Sequence, residues 1–122
     1  MQPFQRIAIT GKPGDSAVID TIGKLINVLD GRGLEVHLDD AIGPAIDPAR
    51  ALPVECLDTL APSIDLLIVV GGDGTLLHAG KRVAMYGVPM LGINRGRLGF
   101  LVDVSPERFD EIIGDIDGDM HS

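Results

Sequence analysis

Hydrophobic positions along the chain fall either in short continuous runs or at intervals of three and four residues. Short apolar or alternating runs are typical of strands, and the longer intervals are typical of helices that bury one face. The predicted strands are Arg6 to Thr10, Leu34 to Leu38, Asp65 to Val70 and Val88 to Ile93. Helices are predicted after the first, third and fourth strands. Strands that alternate with helices indicate an α/β fold with a doubly wound, mostly parallel sheet.

Two of these helices have clear start and stop signals. The helix after the first strand starts at a cap formed by Asp15 or Ser16 and stops at the glycines of "GRG", residues 31–33. The helix after the third strand is predicted over Thr75 to Tyr86, with Gly87 as its stop. Its inner face is predicted to consist of Leu76, Leu77, Val83 and Ala84.

The sequence predicts one domain followed by a helix that leads into a linker. Residues 1–104 are predicted to form one α/β domain, and residues 105–122 a helix and the start of a linker. That helix begins at Ser105 and Pro106, a good N-cap and first helical residue. Three prolines punctuate the region from Asp39 to Ala61, and Pro62 follows it directly; the region is predicted to be a loop with one short helix.

Charge and cysteine content indicate which partners and which cellular compartment to expect. The chain has 122 residues and a formal net charge of -8. That balance disfavours sequence-independent binding of nucleic acid or of an anionic membrane surface. A single cysteine allows no intramolecular disulfide and is typical of a reducing compartment. With no signal-peptide pattern and no apolar run of about 18 residues, we expect a cytoplasmic domain without nucleic-acid or membrane partners.

The clearest predicted strand runs directly into "GGDGT", Gly71 to Thr75. Parallel sheets bind ligands at the carboxyl ends of their strands. Glycines let a phosphate approach the backbone, and a helix that starts near Thr75 adds N–H groups and a positive dipole end. The motif is not a dinucleotide fingerprint, whose third glycine would stand at Leu77, nor a Walker loop. It can nevertheless cradle a polyphosphate.

Asp73 places a negative charge beside this phosphate-binding turn. The charge becomes useful if Asp73 takes a proton from an attacking hydroxyl or holds Mg²⁺. The alternative is that Asp73 only caps the helix or forms an Asx turn. His78, about one turn later, can reach a substrate or simply lie on the helix surface. Lys81 and Arg82 are more typical of solvated helix positions than of phosphate ligands.

A second unusual stretch is "GINRGRLGFL", Gly92 to Leu101, whose glycines indicate sharp turns. Spacing favours Leu98, Phe100 and Leu101 as core residues that plug the end of the sheet. In the functional alternative, Phe100 forms one wall of a pocket for a planar base. Asn94 either donates hydrogen bonds to a ligand or occupies a left-handed turn position.

Together, "GGDGT" and "LGINRGRLGFLVD" (Leu91 to Asp103) resemble the NAD kinases of the bacterial ATP- or polyphosphate-dependent type. The first motif is shared with phosphofructokinases and diacylglycerol-type lipid kinases, whereas the second is much more specific. The resemblance implies a Rossmann-like, phosphofructokinase-like nucleotide-binding domain. It also implies phosphorylation of the adenosine-ribose 2′-hydroxyl of NAD to give NADP, with Mg²⁺ or another divalent cation, by a homodimer or homotetramer.

The resemblance also implies residue roles. Asp73 is the general base that takes the 2′-hydroxyl proton. Residues assigned to the donor nucleotide and its phosphates are Gly71, Gly72, Gly74, Thr75 and Asn94. Residues assigned to the NAD substrate are Asp73, Gly74, His78, Phe100 and Leu101. No residue is assigned as a protein ligand of the metal.

The chain departs from the family pattern in its length. NAD kinases carry a second, β-rich domain with an Asn–acidic pair, but neither Asn27 nor Asn94 precedes an acidic residue here. We therefore expect an N-terminal domain fragment with little or no kinase activity alone. The pattern leaves ATP and polyphosphate open as donors. Two alternative functions are a lipid or sugar kinase that shares the glycine–aspartate turn and a non-catalytic nucleotide-binding module.

Overall fold

A computed structural model describes residues 5–31, 33–46, 52–94 and 97–102, and for 94 and 97–102 it describes the backbone alone. These residues form a sheet with helices on both faces. The strands are β1 (Arg6–Gly11), β2 (Glu35–Asp39), β3 (Val54–Glu55), β4 (Leu66–Gly71), β5 (Met90–Asn94) and β6 (Arg97–Val102). The helices are α1 (Ser16–Gly31), α2 (Leu57–Leu60) and α3 (Asp73–Ala84), with single 3-10 turns at Gly43–Ala45 and Ala61–Ser63.

The strand order is β3-β2-β1-β4-β5-β6. Strands β1 to β5 are parallel to their neighbours, and β6 is antiparallel to β5. The chain moves outward from β1 through β2 and β3, then returns to the other side of β1 as β4. Such a reversal is the topological switch point, where open α/β sheets bind ligands. The predicted doubly wound, mostly parallel sheet is therefore confirmed.

Strand β4 is buried along its whole length because both faces of the sheet are covered. Leu66, Ile68 and Val70 pack in the hydrophobic cluster under α1. Leu67 and Val69 pack in the opposite cluster, with α2 and α3. This two-sided burial explains why β4 reads as a continuous apolar run.

The predicted cap and stop of α1 are confirmed. Asp15 Oδ1 accepts hydrogen bonds from the backbone amides of Ala17, at 3.0 Å, and Val18, at 3.4 Å. This is the expected N-cap arrangement. After the helix ends at Gly31, Gly33 adopts a φ of 77°, which a residue with a side chain rarely takes.

Helix α3 begins two residues earlier than predicted. Gly72, with φ -96° and ψ -174°, is the N-cap, so Asp73 is already helical. The helix ends at Ala84, and Gly87 follows with a φ of 67°, as its role as a stop requires. The helical amides therefore start beside the glycine turn itself.

The predicted inner face of α3 is partly wrong. Its buried residues are Leu76, Ala79 and Val83, which are spaced by three and four. Leu77 is 62% exposed, and Ala84 is exposed as well. Successive helical residues are rotated by about 100°, and α3 is oriented so that Leu76, Ala79 and Val83 face the sheet while Leu77 faces away from it.

The predicted strands omit β6, because the glycines of this stretch signal turns more strongly than its apolar residues signal a strand. In the structure its backbone pairs with β5, with a register irregularity between Leu91 and Ile93. The region from Asp39 to Ala61 contains the predicted short helix, α2, together with β3. The helix predicted from Ser105 and the domain boundary after residue 104 lie outside the described residues.

Candidate functional site

The carboxyl ends of β1 and β4 lie side by side at the switch point. Gly11 pairs with Val70, and the Lys12 amide donates a hydrogen bond to the Val70 carbonyl at 3.1 Å. A Cβ on Gly11 would lie 2.7 Å from that carbonyl oxygen and 2.9 Å from Val18 Cγ1. Glycine at this position lets the β1–α1 loop leave directly beside the glycine turn.

The three glycines of the turn differ in whether the fold leaves room for a side chain at their positions. A Cβ on Gly71 would lie 2.8 Å from Thr75 Cβ, so the fold itself requires glycine there. At Gly72 and Gly74, a Cβ would meet no described atom within 4 Å, and neither glycine has a positive φ. Glycine inside a helix costs about 1 kcal/mol relative to alanine. Open space before two glycines that the described fold does not need is typical of a backbone approached by a ligand.

Asp73 is exposed and is the first residue of α3. The alternative in which it is the N-cap is wrong, because Gly72 holds that position. An acidic residue in the first turn is still favourable toward the helix dipole. The first intrahelical bond runs from the Leu76 amide to the Gly72 carbonyl, at 3.1 Å. The amides of the first turn precede this bond, so Asp73 lies beside an anion-binding helix end.

Two cavities flank this turn. The α1 cavity, about 450 Å³, lies against α1 and is bordered by Lys12, Asp15, Gly71 and Gly72. The α3 cavity, about 350 Å³, lies between the β1–α1 loop and α3. Its border includes Thr10, Lys12, Asp39, Thr75, His78 and Arg82, together with Gly74. The predicted phosphate-binding turn thus divides between two cavities, and Lys12 borders both.

A buried polar pair in the α3 cavity was absent from the predicted site. Thr10 Oγ1 donates a hydrogen bond of 2.6 Å to Asp39 Oδ2, and the Leu57 amide donates one of 3.0 Å to Asp39 Oδ1. Thr10 is 6% exposed and Asp39 1%. The pair ties the ends of β1 and β2 to the start of α2. Its signal in the sequence is a polar residue at the end of each of two apolar strands.

Arg82 is partly solvated, which is less than the sequence predicts. Its side chain, 31% exposed, borders the α3 cavity. Arg82 Nη2 lies 3.7 Å from Asp58 Oδ1 and 4.0 Å from Cys56 Sγ. Lys81 is exposed, as predicted, and His78 is exposed at the cavity border. Sequence reasoning missed Lys12, which follows β1 in a loop that matches no phosphate-binding motif.

Comparison with known proteins assigns the chain to a family. The model of the ATP-NAD kinase N-terminal domain matches residues 7–118. The chain belongs to the ATP-NAD kinase family. It is 43% identical over 117 residues to the NAD kinase of Halorhodospira halophila and 42% identical over 116 residues to that of Pseudomonas entomophila. These matches cover 95% of the chain but only 38% and 39% of the two relatives.

The fold of this NAD kinase domain agrees with a solved structure. Yeast NADH kinase complexed with NADH superposes with a TM-score of 0.60, at 20% identity. The match covers 97% of this chain and 37% of the yeast chain. The resemblance based on "GGDGT" and "LGINRGRLGFLVD" is thus confirmed at the level of the family, and the likeness to the yeast structure shows the fold.

The second motif of this family member lies partly beside the turn. The backbone of Asn94 pairs with Gly71 across β4 and β5, so the predicted nucleotide-binding Asn94 comes from the strand next to the turn. Phe100 and Leu101 belong to β6. The side chains of these three residues lie outside the described part of the structure, and their binding roles stay predictions.

Within the part of the chain that the structure describes, no three His, Cys, Asp or Glu side chains are grouped to hold a metal ion. No described helix combines the length and apolar character needed to cross a membrane.

Proposed function

We propose that this chain is the N-terminal domain of an enzyme that phosphorylates the adenosine-ribose 2′-hydroxyl of NAD, with ATP or polyphosphate as donor. Membership of the ATP-NAD kinase family supports this proposal. The structural observation that carries it is the position of Asp73. Asp73 is an exposed residue in the first turn of α3, and its neighbours Gly72 and Gly74, whose Cβ positions are open, border two different cavities.

The chemistry follows from this position. As the 2′-oxygen attacks the terminal phosphorus, Asp73 accepts the hydroxyl proton. A new oxygen–phosphorus bond forms, the bond to the leaving phosphate oxygen breaks, and ADP departs when ATP is the donor. Backbone amides at the start of α3 stabilise negative charge on the phosphates. Phosphoryl transfer depends mainly on such positioning and electrostatics.

A divalent cation such as Mg²⁺ is part of the proposal, since it neutralises phosphate charge during transfer. Mg²⁺ in such sites keeps several waters and uses one or two carboxylates together with substrate phosphates. The donor set of the turn fits this pattern, because Asp73 supplies a carboxylate beside the proposed phosphate position. As general base, Asp73 would meet the cation through water, because a carboxylate bound directly to Mg²⁺ accepts a proton less readily.

The remaining assignments are proposals that rest on the family. Gly71, Gly72, Gly74, Thr75 and Asn94 contact the donor, and Gly74, His78, Phe100 and Leu101 contact NAD beside Asp73. The full-length enzyme is proposed to be a cytoplasmic homodimer or homotetramer. The isolated chain, which spans less than two-fifths of its curated relatives, is proposed to have little or no kinase activity.

A graft tests the substrate. Residues 7–118 replace the matching segment of the NAD kinase of Halorhodospira halophila, and phosphate transfer from ATP with Mg²⁺ is assayed to NAD and to diacylglycerol. We expect NADP and no phosphorylated lipid. A folded graft that phosphorylates only diacylglycerol contradicts the proposal, and one that binds nucleotide without turnover favours a non-catalytic module. NADP formation by the isolated 122-residue chain at the rate of the graft contradicts the fragment hypothesis.

A further inference from the structure

Two cationic residues from different parts of the fold border the α3 cavity. Lys12 follows β1, and Arg82 lies on α3. His78 and Thr75 border the cavity from the same side as Arg82, because residues three, four and seven apart share one helical face. This concentration of basic groups stands out in a chain whose formal net charge is -8.

The space between these groups suits a small anionic ligand. Its volume of about 350 Å³ lies in the range of small-molecule sites, roughly 300–1,000 Å³. Gly74 opens onto it without a side chain, in the first turn of α3. A ligand there would lie beside the helix-end amides and the two cationic residues.

Two carboxylates besides Asp73 lie near the cavity and oppose this positive charge. Asp39 is 1% exposed, and each of its oxygens already accepts a hydrogen bond within the protein. Asp58 lies 3.7 Å from Arg82 Nη2, farther than the 2.7–2.9 Å typical of a charge-assisted hydrogen bond, and its side chain is 60% exposed. Because exposed pairs of this kind are weak, Arg82 remains available to a phosphate.

We propose that the α3 cavity binds the polyphosphate chain of the phosphoryl donor, with Lys12 and Arg82 as its cationic contacts. Asp58 competes with the phosphate for Arg82. The identification of the anion as a phosphoryl donor rests on the proposed kinase function, whereas the anion site itself rests on the geometry of the cavity.

The test measures binding of inorganic tripolyphosphate to the 122-residue chain by calorimetry, without divalent cations. Arg82→Ala and Lys12→Ala are each expected to raise Kd about tenfold, since each removes one charge-assisted contact. Lys81→Ala is the matched control, because it removes the same charge from an exposed position of α3. Its Kd should stay within about twofold of the unaltered chain, as screening by salt weakens distant charges.

Asp58→Asn is an independent test of the proposal, because Asp58 pairs with Arg82 but does not border the cavity. It is expected to lower the Kd of tripolyphosphate about threefold, as loss of a weak exposed ion pair allows. Asp20→Asn, an exposed acid on α1, is the control for net charge and should change Kd less. If Arg82→Ala fails to fold, Asp58→Asn and Arg82→Gln decide the outcome. The Kd of ADP should change among these variants in the same order as the Kd of tripolyphosphate. The Kd of adenosine, which has no phosphate, should not change in Arg82→Ala.

The proposal is overturned if folded, unaltered chain does not bind tripolyphosphate, or if Lys81→Ala weakens binding as much as Arg82→Ala. An unchanged Kd in Asp58→Asn overturns the competition. The graft separates this proposal from the proposed kinase function. If the graft with Arg82→Ala forms NADP with an unchanged KM for ATP, the donor site is contradicted and the kinase function is supported. If tripolyphosphate binds as expected but the graft makes no NADP, the anion site is supported and the kinase function is contradicted.

Discussion

Thr10 and Asp39 are joined by a buried hydrogen bond of 2.6 Å that links the ends of β1 and β2 at the α3 cavity. The second oxygen of Asp39 accepts the amide of Leu57, so one carboxylate holds three segments together. A buried carboxylate with both oxygens engaged is typical of a group that fixes local geometry. Thr10 and Asp39 therefore shape the cavity that Lys12 and Arg82 border.

Removal of the Asp39 carboxylate is expected to destabilise the chain. Asp39→Ala leaves the Thr10 hydroxyl and the Leu57 amide without their acceptor, at a cost of roughly 1–3 kcal/mol for each donor. Urea denaturation measures the change in the free energy of unfolding. Asp40→Ala, at the exposed neighbouring residue, should stay within about 0.5 kcal/mol of the unaltered chain. Equal effects of the two substitutions would show that the buried hydrogen bonds contribute nothing.

Gly74→Ala is expected to separate stability from function. A Cβ at this position meets no described atom within 4 Å, so alanine should raise the stability of α3 by up to about 1 kcal/mol. The same methyl group would stand where phosphate approaches, so the KM for ATP in the graft should rise. Gly80→Ala is the control, since its Cβ would make an ordinary 3.6 Å contact with Met90 Cε in the core. A similar KM for both variants would exclude close phosphate approach at Gly74.

Acid should weaken the contribution of Glu35 to stability. Its hydrogen bond to His37 lowers the pKa of Glu35 below the ordinary 4.5, against a smaller opposing effect of desolvation, and the charges of Arg6 and His37 add to the lowering. A pKa lowered in the folded state stabilises the chain above 4.5, and this contribution disappears as the pH falls through the folded pKa. Urea midpoints of the unaltered chain and Glu35→Gln should therefore converge below pH 4.5. Glu55→Gln, at an exposed glutamate of β3, is the control. A gap for Glu35→Gln that persists in acid contradicts the assignment.

The architecture could be predicted because its strongest signals are local. The apolar run of β4 and the glycines that follow it mark a buried strand that ends at a ligand-binding edge. The same signals placed Asp73 at the carboxyl end of that strand. A glycine-rich strand such as β6 gives no such signal, because its pairing with β5 rather than its own composition makes it a strand.

The side walls of the site could not be predicted because tertiary packing defines them. Arg82 looks like any basic residue near a helix end, and only the approach of α3 to the β1–α1 loop brings it to the cavity. Lys12 is brought to the site by the pairing of β1 with β4, which lets its amide donate a hydrogen bond to the Val70 carbonyl. These two residues are 58 positions apart in the sequence. Leu77 and Leu76 are adjacent in α3, and the packing of the helix against the sheet decides that Leu76 is the buried one.

The role of Asp73 as general base is tested most directly by kcat for NADP formation in the graft with Asp73→Asn. Asparagine keeps the shape of the side chain but cannot accept the 2′-hydroxyl proton. Asp20→Asn, which removes an exposed carboxylate from α1, controls for charge. We predict that Asp73→Asn lowers kcat by about 10²–10⁴-fold while Asp20→Asn leaves it unchanged. A folded Asp73→Asn graft that makes NADP at a near-normal rate would contradict this role.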